Sequence, residues 1–539
     1  MSSYSPPVSE MIFALYDALG FSHEDLDRET GEAILDEAAK LASDVLAPLN
    51  KAGDEIGAVL DNGAVKTAEG FKDAYQTYCE GGWNSVPFSP EYGGQGLPWA
   101  IAFPVQEMWQ GANMSFGLCP LLNQGAIEAI ATHGSDQQKS TYLPKLISGE
   151  WTGTMNLTEA QAGSDLGLLR SKAEKKSDGT YEISGQKIFI TYGEHDMAEN
   201  IIHLVLARTV DAPEDVKGIS LFIVPKILDD GTRNAVACIG LEHKLGIHSS
   251  PTCTMEFDGA TGYLVGGEHM GLKYMFTMMN NARLCVGLQG VAIAQAAYQH
   301  ALSYAEERVQ GKSFETGQRV TISQHADVRR MLLDMKARIT AGRLMAYGAA
   351  IELDRELAGD VDARARVAFL TPIVKGWCTD MAVHVTSEAI QVWGGMGFIE
   401  ESGAAQFYRD ARILPIYEGT NGIQAADFVF RKIAIDGGKV AFSFIDEMKG
   451  AVDDVILSDL KEATDKLLSL ASQKKRDDLA WLSTPYLSAF SSVYGYFLLE
   501  MASKIANSED QGIADVCGFY ASSILPLCQA HLQEILKYG

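Results

Sequence analysis

The chain has 539 residues, of which 47% are hydrophobic and 21% charged, and its formal net charge is −26 at pH 7. This length exceeds what one hydrophobic core organises, so several packed domains are expected. No basic stripe offsets the negative charge, which argues against a nucleic-acid-binding protein. An anionic ligand can still bind at local positive groups and helix N-termini.

The cysteines and the N-terminal residues bear on the compartment. Eight cysteines are scattered without a Cys-x-x-Cys pair, which argues against a zinc site or a disulfide framework and favours a reducing compartment. The first basic residue is Arg28, so neither a signal peptide nor an Arg-rich transit peptide is visible. No apolar run approaches the roughly 18 residues that span a bilayer. We expect a soluble, cytoplasmic protein without a membrane span.

The first part of the chain, residues 1–151, is predicted to be a helical domain. Apolar residues recur at helical spacing between Thr30 and Leu49, and Pro48 is expected to end this helix. A loop rich in glycine and proline follows at 87–96, and helical patterns resume from 101 to about 146.

Residues 152–270 are predicted to be a β domain, because short β-rich runs replace the helical pattern. Asp178-Gly179 precedes one of them as a hairpin turn. Several short strands at this spacing indicate an antiparallel barrel or a sandwich. The predicted strands are 180–191, 201–208, 219–224, 236–240 and 252–257.

Helical patterns return after residue 270. Residues 271–436 are predicted to form a helical bundle, since the segment 278–305 lacks proline and carries small residues on the same face as its leucines. Beyond Gly437-Gly438 a further helical region extends over 437–539, with its clearest pattern at 460–468. The order is therefore helical, β, helical, and an additional helical region.

The segment 409–424 is the strongest candidate for chemistry. It places Glu418 in a tight turn containing Gly419, between an apolar run and a predicted helix. A carboxylate in such a turn can be partly desolvated, which raises its pKa toward that of a useful base. The alternative is a helix-capping loop in which Glu418 is simply solvated.

Three other segments carry candidate binding residues. Residues 155–165 combine a strand ending in Thr158 with a Gly163-Ser164 turn, which offers backbone N–H groups and hydroxyls to an anionic or heteroaromatic ligand. Residues 186–193 place an aromatic ring and a hydroxyl on one strand face, which suits stacking on a flat ring, although Phe189 could equally be core. Residues 391–398 are rich in glycine but lack the setting of a Rossmann fingerprint.

Together, in this order and spacing, these four segments resemble the acyl-CoA dehydrogenase flavoprotein family over residues from about 30 to 436. The resemblance implies an N-terminal helical domain, a middle antiparallel β-barrel and a C-terminal four-helix bundle. The added helical region and the segments 271–283 and 416–424 resemble the larger bacterial branch. That branch includes the 3-methylthiopropionyl-CoA (3-methylmercaptopropionyl-CoA) dehydrogenases of dimethylsulfoniopropionate breakdown.

The family's functional residues can be placed on this sequence. By resemblance, Glu418 is the catalytic base, and Ser164, Arg283 and Gly419 bind substrate, with Ser164 at the CoA portion and Arg283 at its nucleotide end. Two positions depart from many short- and medium-chain members: Gly422 stands in place of Gln, and Asn280 in place of an acid. The residues expected to contact FAD are Leu157, Thr158, Phe189, Thr191, Arg308, Gln391, Gly394, Gly395 and Thr420.

The implied reaction is FAD-dependent α,β-dehydrogenation of an acyl-CoA to the trans-2-enoyl-CoA, with Glu418 removing the α-proton and the β-hydrogen leaving as hydride to flavin N5. The implied substrate is short or substituted, such as 3-methylthiopropionyl-CoA. The expected electron acceptor is an electron-transferring flavoprotein. Arg308 and the segment 391–395 resemble the part of the family's FAD site that usually comes from a neighbouring subunit. The resemblance therefore implies a homodimer or a tetramer.

Two alternatives remain open on the sequence. An acyl-CoA oxidase would share the fold and the glutamate but pass electrons to oxygen. A DNA-associated flavin-binding relative without dehydrogenase activity would need a basic patch in its C-terminal region, and the short run Lys474-Lys475-Arg476 is followed at once by two aspartates. The nitroalkane oxidase branch uses an aspartate as base, so Glu418 argues against it.

Overall fold

The computed structural model describes residues 4–506 and 512–538. The N-terminal part is helical, apart from a hairpin of two short strands, β1 (Val59–Asp61) and β2 (Ala64–Lys66). Its helices are α1 (Val8–Ile12), α2 (Arg28–Lys40), α3 (Ala47–Ile56), α4 (Phe71–Glu80), α5 (Trp99–Ala112), α6 (Met114–His133) and α7 (Asp136–Ser148).

The helix predicted to end at Pro48 continues to Ile56, so this boundary was wrong. A π-helical segment, Leu41–Leu46, joins α2 to α3, and Pro48 lies in the first turn of α3. Proline is tolerated there because the N–H that it lacks has no helical acceptor in the first turn. Gly57, with φ 71°, ends the helix instead.

The middle of the chain forms seven strands of one sheet. All five predicted strands are present, β3 ends at Asn156 rather than at Thr158, and β4 lies outside the predicted runs. The strands are β3 (Trp151–Asn156), β4 (Lys172–Lys175), β5 (Tyr181–Thr191), β6 (Asn200–Thr209), β7 (Ile219–Pro225), β8 (Val236–Leu241) and β9 (Thr252–Leu264). The predicted turn at Asp178-Gly179 connects β4 to β5, with the Lys176 N–H donating to the Thr180 carbonyl.

The sheet closes into a barrel because β6 pairs with β7 as well as with β4, in the order β6-β4-β5-β9-β7. The β3–β6 and β4–β6 pairs are parallel, whereas the others are antiparallel. The expectation of a purely antiparallel barrel was therefore wrong in this detail. The chain between β3 and β6 contains two further strands, which is enough length for the crossover that a parallel pair needs. Inside the barrel pack Tyr181, Ile183, Val205, Phe222 and Met255.

Long helices follow the barrel, with a second short hairpin, β10 (Val309–Lys312) and β11 (Arg319–Thr321), between the first two. The bundle helices are α8 (Gly271–Glu307), α9 (Ala326–Leu357), α10 (Val361–Trp393), α11 (Ala404–Ala411) and α12 (Asn421–Asp427). The additional region contains α13 (Lys439–Glu447), α14 (Asp454–Ser472), α15 (Arg476–Ile505), α16 (Gly512–Phe519) and α17 (Leu525–Lys537).

The predicted fold class is confirmed: a helical part, a β part and a second helical part, with an extra helical region at the end. By packing, the chain divides into two compact units. The bounds of the four predicted domains stay predictions. The first unit comprises Met1–Ser43, Trp99–Ala112 and Arg283–Gly539, and the second comprises Asp44–Pro98 and Asn113–Ala282.

The additional helical region shares a core with the bundle in the first unit. The ring of Phe369 on α10 lies 5.0 Å from that of Phe444 and 5.1 Å from that of Phe490, centroid to centroid. All three side chains are buried. Aromatic pairs at this spacing add stabilisation beyond the area that they bury. The region after residue 437 is therefore part of the structural core of the bundle.

One described segment, Gly512–Lys537, is long and apolar enough to cross a membrane by length and composition. This departs from the expectation that no apolar run approaches that length. Val516, Tyr520, Cys528 and Leu532 of this segment are buried, and α17 packs on α15. A helix that packs on a protein core meets the same criterion, so length and composition alone do not establish a membrane span.

The shared aromatic core predicts that Phe490→Ala strongly destabilises the protein. Phe490 is fully buried among four other aromatic rings, so truncation leaves a cavity and should cost about 3–5 kcal/mol. Trp481→Ala on the same helix is the control, because Trp481 is 68% exposed and its loss should cost less than about 0.5 kcal/mol. The measurement is the urea midpoint followed by circular dichroism. Equal midpoints for both variants would show that the region beyond 437 does not stabilise the bundle.

Candidate active site

The loop that carries Glu418 connects α11 to α12 and is closed by its own backbone. The Tyr417 N–H donates to the Ile413 carbonyl over 3.1 Å, and the Asn421 N–H donates to the Pro415 carbonyl over 3.0 Å. Thr420 precedes the first turn of α12 and caps it, its hydroxyl accepting from the Ile423 N–H. The loop therefore has one defined conformation between the two helices.

The turn itself is left-handed at two consecutive residues, Glu418 with φ 55° and Gly419 with φ 88°. Glycine is favoured at 419 because this φ lies in the left-handed region, and a Cβ there would also lie 2.8 Å from Nε2 of Gln424. Glu418 is not glycine, and such a conformation costs on the order of 1–3 kcal/mol. Strain of this kind is concentrated at functional sites, where the surrounding structure imposes it.

Two buried cations hold this turn through its carbonyl groups. Arg283 on α8 donates from Nε to the Glu418 carbonyl over 3.2 Å. Lys375 on α10 donates from Nζ to the Gly419 carbonyl over 2.7 Å and to Oδ1 of Asn421 over 2.8 Å. The position of the Glu418 backbone is therefore set from two helices.

The Glu418 side chain is half-buried in the described structure. Burial raises its pKa to about 7, while the positive charges of Arg283 and Lys375 act in the opposite direction. A carboxyl group with a pKa near neutrality can act as a general base at physiological pH. Of the two interpretations given by the sequence, this environment favours the base over the solvated capping loop.

Sequence reasoning did not single out Lys375. It interrupts an apolar stretch of α10, residues 369–377, and its side chain is fully buried. Burial lowers the pKa of Lys375, whereas the negative charges of Glu418 and Asp380 raise it and favour the protonated lysine. A single lysine in an apolar helical face indicates a buried charge that needs a partner, and the sequence could have predicted this. The sequence does not show that the partner lies on a distant loop.

In the second compact unit, the residues around Leu157 and Thr158 follow β3 and are anchored by a buried ion pair. Nζ of Lys187 lies 2.8 Å from Oε1 of Glu159 and also donates to the Leu157 carbonyl over 3.1 Å. Glu159 accepts further hydrogen bonds from Ser171 and from the Arg170 N–H. These contacts hold the pKa of Glu159 at about 2, so the carboxylate stays ionised and the loop stays fixed.

Phe189 is not a core residue, so that alternative was wrong: its side chain is 58% exposed. It has φ 61° and lies in a β-bulge between Lys187 and Ile190, which breaks the simple strand alternation on which the prediction relied. Thr191 and Thr158 are half-buried, and the Thr158 carbonyl accepts from the Ile188 N–H over 2.9 Å. An exposed aromatic ring on the strand that carries Thr191 and is bonded to Thr158 fits a flat heteroaromatic ligand.

Ser164 lies in the exposed turn that follows this loop, and a Cβ at Gly163 would meet no atom within 4 Å. The turn is therefore open enough for a ligand to approach its backbone.

The ends of α8 and α10 meet in the first unit through stacked rings. Trp393 stacks on Tyr304 at 3.9 Å and on His300 at 4.5 Å. Arg308 follows α8 directly, and the stack brings it to the same end of the bundle as the last turn of α10. Three other residues that were predicted to contact FAD are exposed at the same end of the bundle, namely Gln391, Gly394 and Gly395.

Three family models match consecutive parts of the chain. The acyl-CoA dehydrogenase N-terminal domain matches residues 28–150, the middle domain matches 154–260, and the C-terminal domain matches 269–431. These ranges cover most of the chain and leave the additional helical region outside.

One relative extends the similarity to that region. The chain is 45% identical to 3-methylmercaptopropionyl-CoA dehydrogenase of Ruegeria pomeroyi over 100% of this chain and 98% of the relative. It is 40% identical to a butyryl-CoA dehydrogenase of Syntrophomonas wolfei over 76% of this chain and 71% of the relative.

Among solved structures, an acyl-CoA dehydrogenase from Bacillus anthracis complexed with FAD superposes with a TM-score of 0.75 at 20% identity, covering 98% of this chain and 95% of that chain. This structural similarity shows that the two chains share a fold. With all three domain models matched in order and a relative similar over its full length, this chain belongs to the acyl-CoA dehydrogenase family.

Proposed function

We propose that this protein is an FAD-dependent acyl-CoA dehydrogenase that converts a short or substituted acyl-CoA, such as 3-methylthiopropionyl-CoA, to the trans-2-enoyl-CoA. The observation that carries the proposal is Glu418, held in a left-handed turn with a pKa raised to about 7 by burial. The substrate class is supported by the name of the relative that is 45% identical over the whole chain.

The residues present fit FAD. Phe189 offers an exposed ring, and Leu157, Thr158 and Thr191 adjoin it around the anchored loop of the second unit. Thr420 caps a helix N-terminus, which suits a pyrophosphate. Arg308, Gln391, Gly394 and Gly395 form an exposed group that would hold the nucleotide end from a neighbouring subunit. When bound, FAD supplies the acceptor for the hydride that leaves the substrate β-carbon.

Glu418 is the proposed base. Its carboxylate takes the α-proton while the β-hydrogen leaves with its electron pair, so a Cα–Cβ double bond forms and Glu418 ends protonated. The α-proton of a thioester is too weakly acidic for a carboxylate unless hydrogen bonds to the thioester oxygen strengthen as the enolate develops. We assign one of these donors to the Glu418 backbone N–H. Its turn is held in place by Arg283 and Lys375.

Ser164, Arg283 and Gly419 are the proposed substrate-binding residues. Arg283 contacts the Glu418 carbonyl, beside the proposed base, which differs from the position at the nucleotide end of CoA that the sequence predicted. The expected contact of Arg283 with the nucleotide end of CoA stays a prediction. Ser164 is available on an exposed turn for the CoA portion.

We also propose a homo-oligomer, a cytoplasmic location and an electron-transferring flavoprotein as the electron acceptor. Met396 and Phe398 are 50% and 87% exposed beside Gly394 and Gly395. Exposed apolar side chains grouped in this way are typical of a surface that meets another subunit. The location and the acceptor follow from membership of the family and from its metabolic role.

The proposal predicts that acyl-CoA substrate bleaches the visible absorption of the bound flavin under anaerobic conditions. The panel is 3-methylthiopropionyl-, butyryl-, hexanoyl- and phenylpropionyl-CoA, measured by stopped-flow absorbance. We expect rapid bleaching by one of the short or substituted members, and hydrogen peroxide production on admitting air would identify an oxidase instead. A flavin-loaded protein that none of the four bleaches would contradict the proposal.

Replacing the base should separate binding from chemistry. Glu418→Gln keeps the shape of the side chain but cannot accept the α-proton, so we expect full FAD content and a bleaching rate lower by about 10²–10⁴-fold. Glu462→Gln, an exposed glutamate on α14, is the matched control and should bleach like the wild type. Unchanged bleaching in the Glu418 variant would place the base elsewhere.

The pKa of about 7 for Glu418 predicts the pH dependence of flavin reduction. The base must be ionised to accept a proton, so the rate constant should rise with pH through about 7 and level off above it. Below the pKa the rate should fall about tenfold per pH unit. The measurement is stopped-flow bleaching at saturating substrate from pH 5.5 to 9. A flat profile over this range would mean that Glu418 has the pKa of an ordinary exposed glutamate.

A further inference from the structure

Lys375 is a cation in a place that disfavours charge. Its side chain is fully buried on α10, between Val374 and Gly376, in a stretch of apolar residues. Burying an ammonium group costs several kcal/mol unless hydrogen bonds and opposite charges compensate it. The compensation that the structure provides identifies what the lysine does.

Both hydrogen-bond acceptors of Lys375 belong to the loop that carries Glu418. Its Nζ donates to the Gly419 carbonyl over 2.7 Å and to Oδ1 of Asn421 over 2.8 Å. The amide of Asn421 is itself oriented, because its Nδ2 donates to the Gly376 carbonyl over 3.0 Å and to Oδ1 of Asp380 over 2.8 Å. The lysine thus meets a preset pair of oxygens on either side of Thr420.

The charges that face Lys375 come from three elements. Glu418, on the loop before α12, and Asp380, on α10 itself, favour the charged lysine, whereas Arg283 on α8 opposes it. Both hydrogen-bonded oxygens are neutral. The positive charge therefore remains available to act on the Glu418 carboxylate.

The additional C-terminal region covers this turn of α10. A Cβ on Gly376 would lie 2.8 Å from Cδ2 of Leu487 on α15, so the two helices are in close contact beside Lys375. Trp377 Nε1 also donates to the Ser492 hydroxyl of α15 over 3.3 Å. The region beyond residue 437 therefore packs directly against the turn of α10 that carries Lys375.

We propose that Lys375 is a positioning residue for α-proton removal: its hydrogen bond to the Gly419 carbonyl fixes the Glu418–Gly419 turn, and its charge favours the carboxylate form of Glu418. The inference rests on the proposed function. The two actions are separable, since the hydrogen bond needs a donor and the electrostatic effect needs a charge.

The sign of the electrostatic effect follows from the arrangement. A nearby cation stabilises the carboxylate form of Glu418, so removing it raises the pKa of Glu418. A base with a higher pKa is ionised in a smaller fraction of molecules at pH 7. Loss of the charge therefore moves the pH dependence of flavin reduction to higher pH, by about one unit.

The test compares Lys375→Met, which removes donor and charge, with Lys375→Gln, which retains an N–H donor but no charge. Lys375→Arg retains the charge, and Lys461→Met removes one from the exposed surface of α14 as the control. The measurements are FAD content, circular dichroism and the stopped-flow bleaching rate from pH 5.5 to 9.5. We expect both neutral variants to shift the pH midpoint upward by about one unit.

The plateau rate at high pH tests the hydrogen bond from Lys375 to the Gly419 carbonyl. We expect Lys375→Gln to recover most of the wild-type rate at high pH, whereas Lys375→Met stays at least about tenfold slower there, since its turn lacks the donor. The Arg and Lys461 variants should keep the wild-type midpoint. A folded, flavin-loaded Lys375→Met enzyme with an unchanged midpoint and plateau would overturn the inference. If the Met variant does not fold, an unchanged midpoint in Lys375→Gln has the same meaning.

A measurement without turnover separates this inference from the proposed function. The C=O stretch of protonated Glu418, identified by infrared difference against Glu418→Gln, gives its pKa in the resting enzyme. We expect this pKa to rise in Lys375→Gln. A wild-type flavin that no acyl-CoA bleaches, with the infrared shift present, would refute the dehydrogenase proposal but leave the electrostatic action in place. Normal bleaching with no shift would refute the action of Lys375 alone.

Discussion

The site depends on a buried lysine that donates to a backbone carbonyl. Lys375 reaches from α10 to the Gly419 carbonyl over 2.7 Å and so holds the left-handed turn next to Glu418. A strained turn of this kind persists only when its surroundings impose it. The helix α10 supplies that constraint through Lys375. Preorganisation of this type is what an electrostatically assisted proton transfer requires.

The second unit uses the same device at its own candidate binding loop. Lys187 is fully buried on β5 and donates to the Leu157 carbonyl over 3.1 Å, while Glu159 balances its charge at 2.8 Å. In both places a long side chain on a regular element anchors an irregular segment. The two lysines differ in their counter-charge. Lys187 has a carboxylate in direct contact, whereas the two acceptors of Lys375 are neutral oxygens and the charge of Lys375 acts on Glu418.

The additional C-terminal region is integrated with the bundle at the aromatic core around Phe369 and at the turn of α10 beside Lys375. These two contacts explain how a region outside the matched domain models can bear on the same site. Its helix α15 packs against α10 at Gly376 and Trp377. The relative that is similar over the whole chain includes this region as well.

Local pattern in the sequence determined the order of helical and β parts, the five principal strands and the turn that carries Glu418, because periodicity and turn chemistry act over a few residues. Tertiary structure decided what depends on residues distant in the chain. It paired β3 and β4 in parallel with β6, exposed Phe189 on a bulge, and carried the helix past Pro48. It also brought Lys375 to Gly419, 44 positions away. A sequence shows that a buried cation needs a partner, but only the packed chain selects which one.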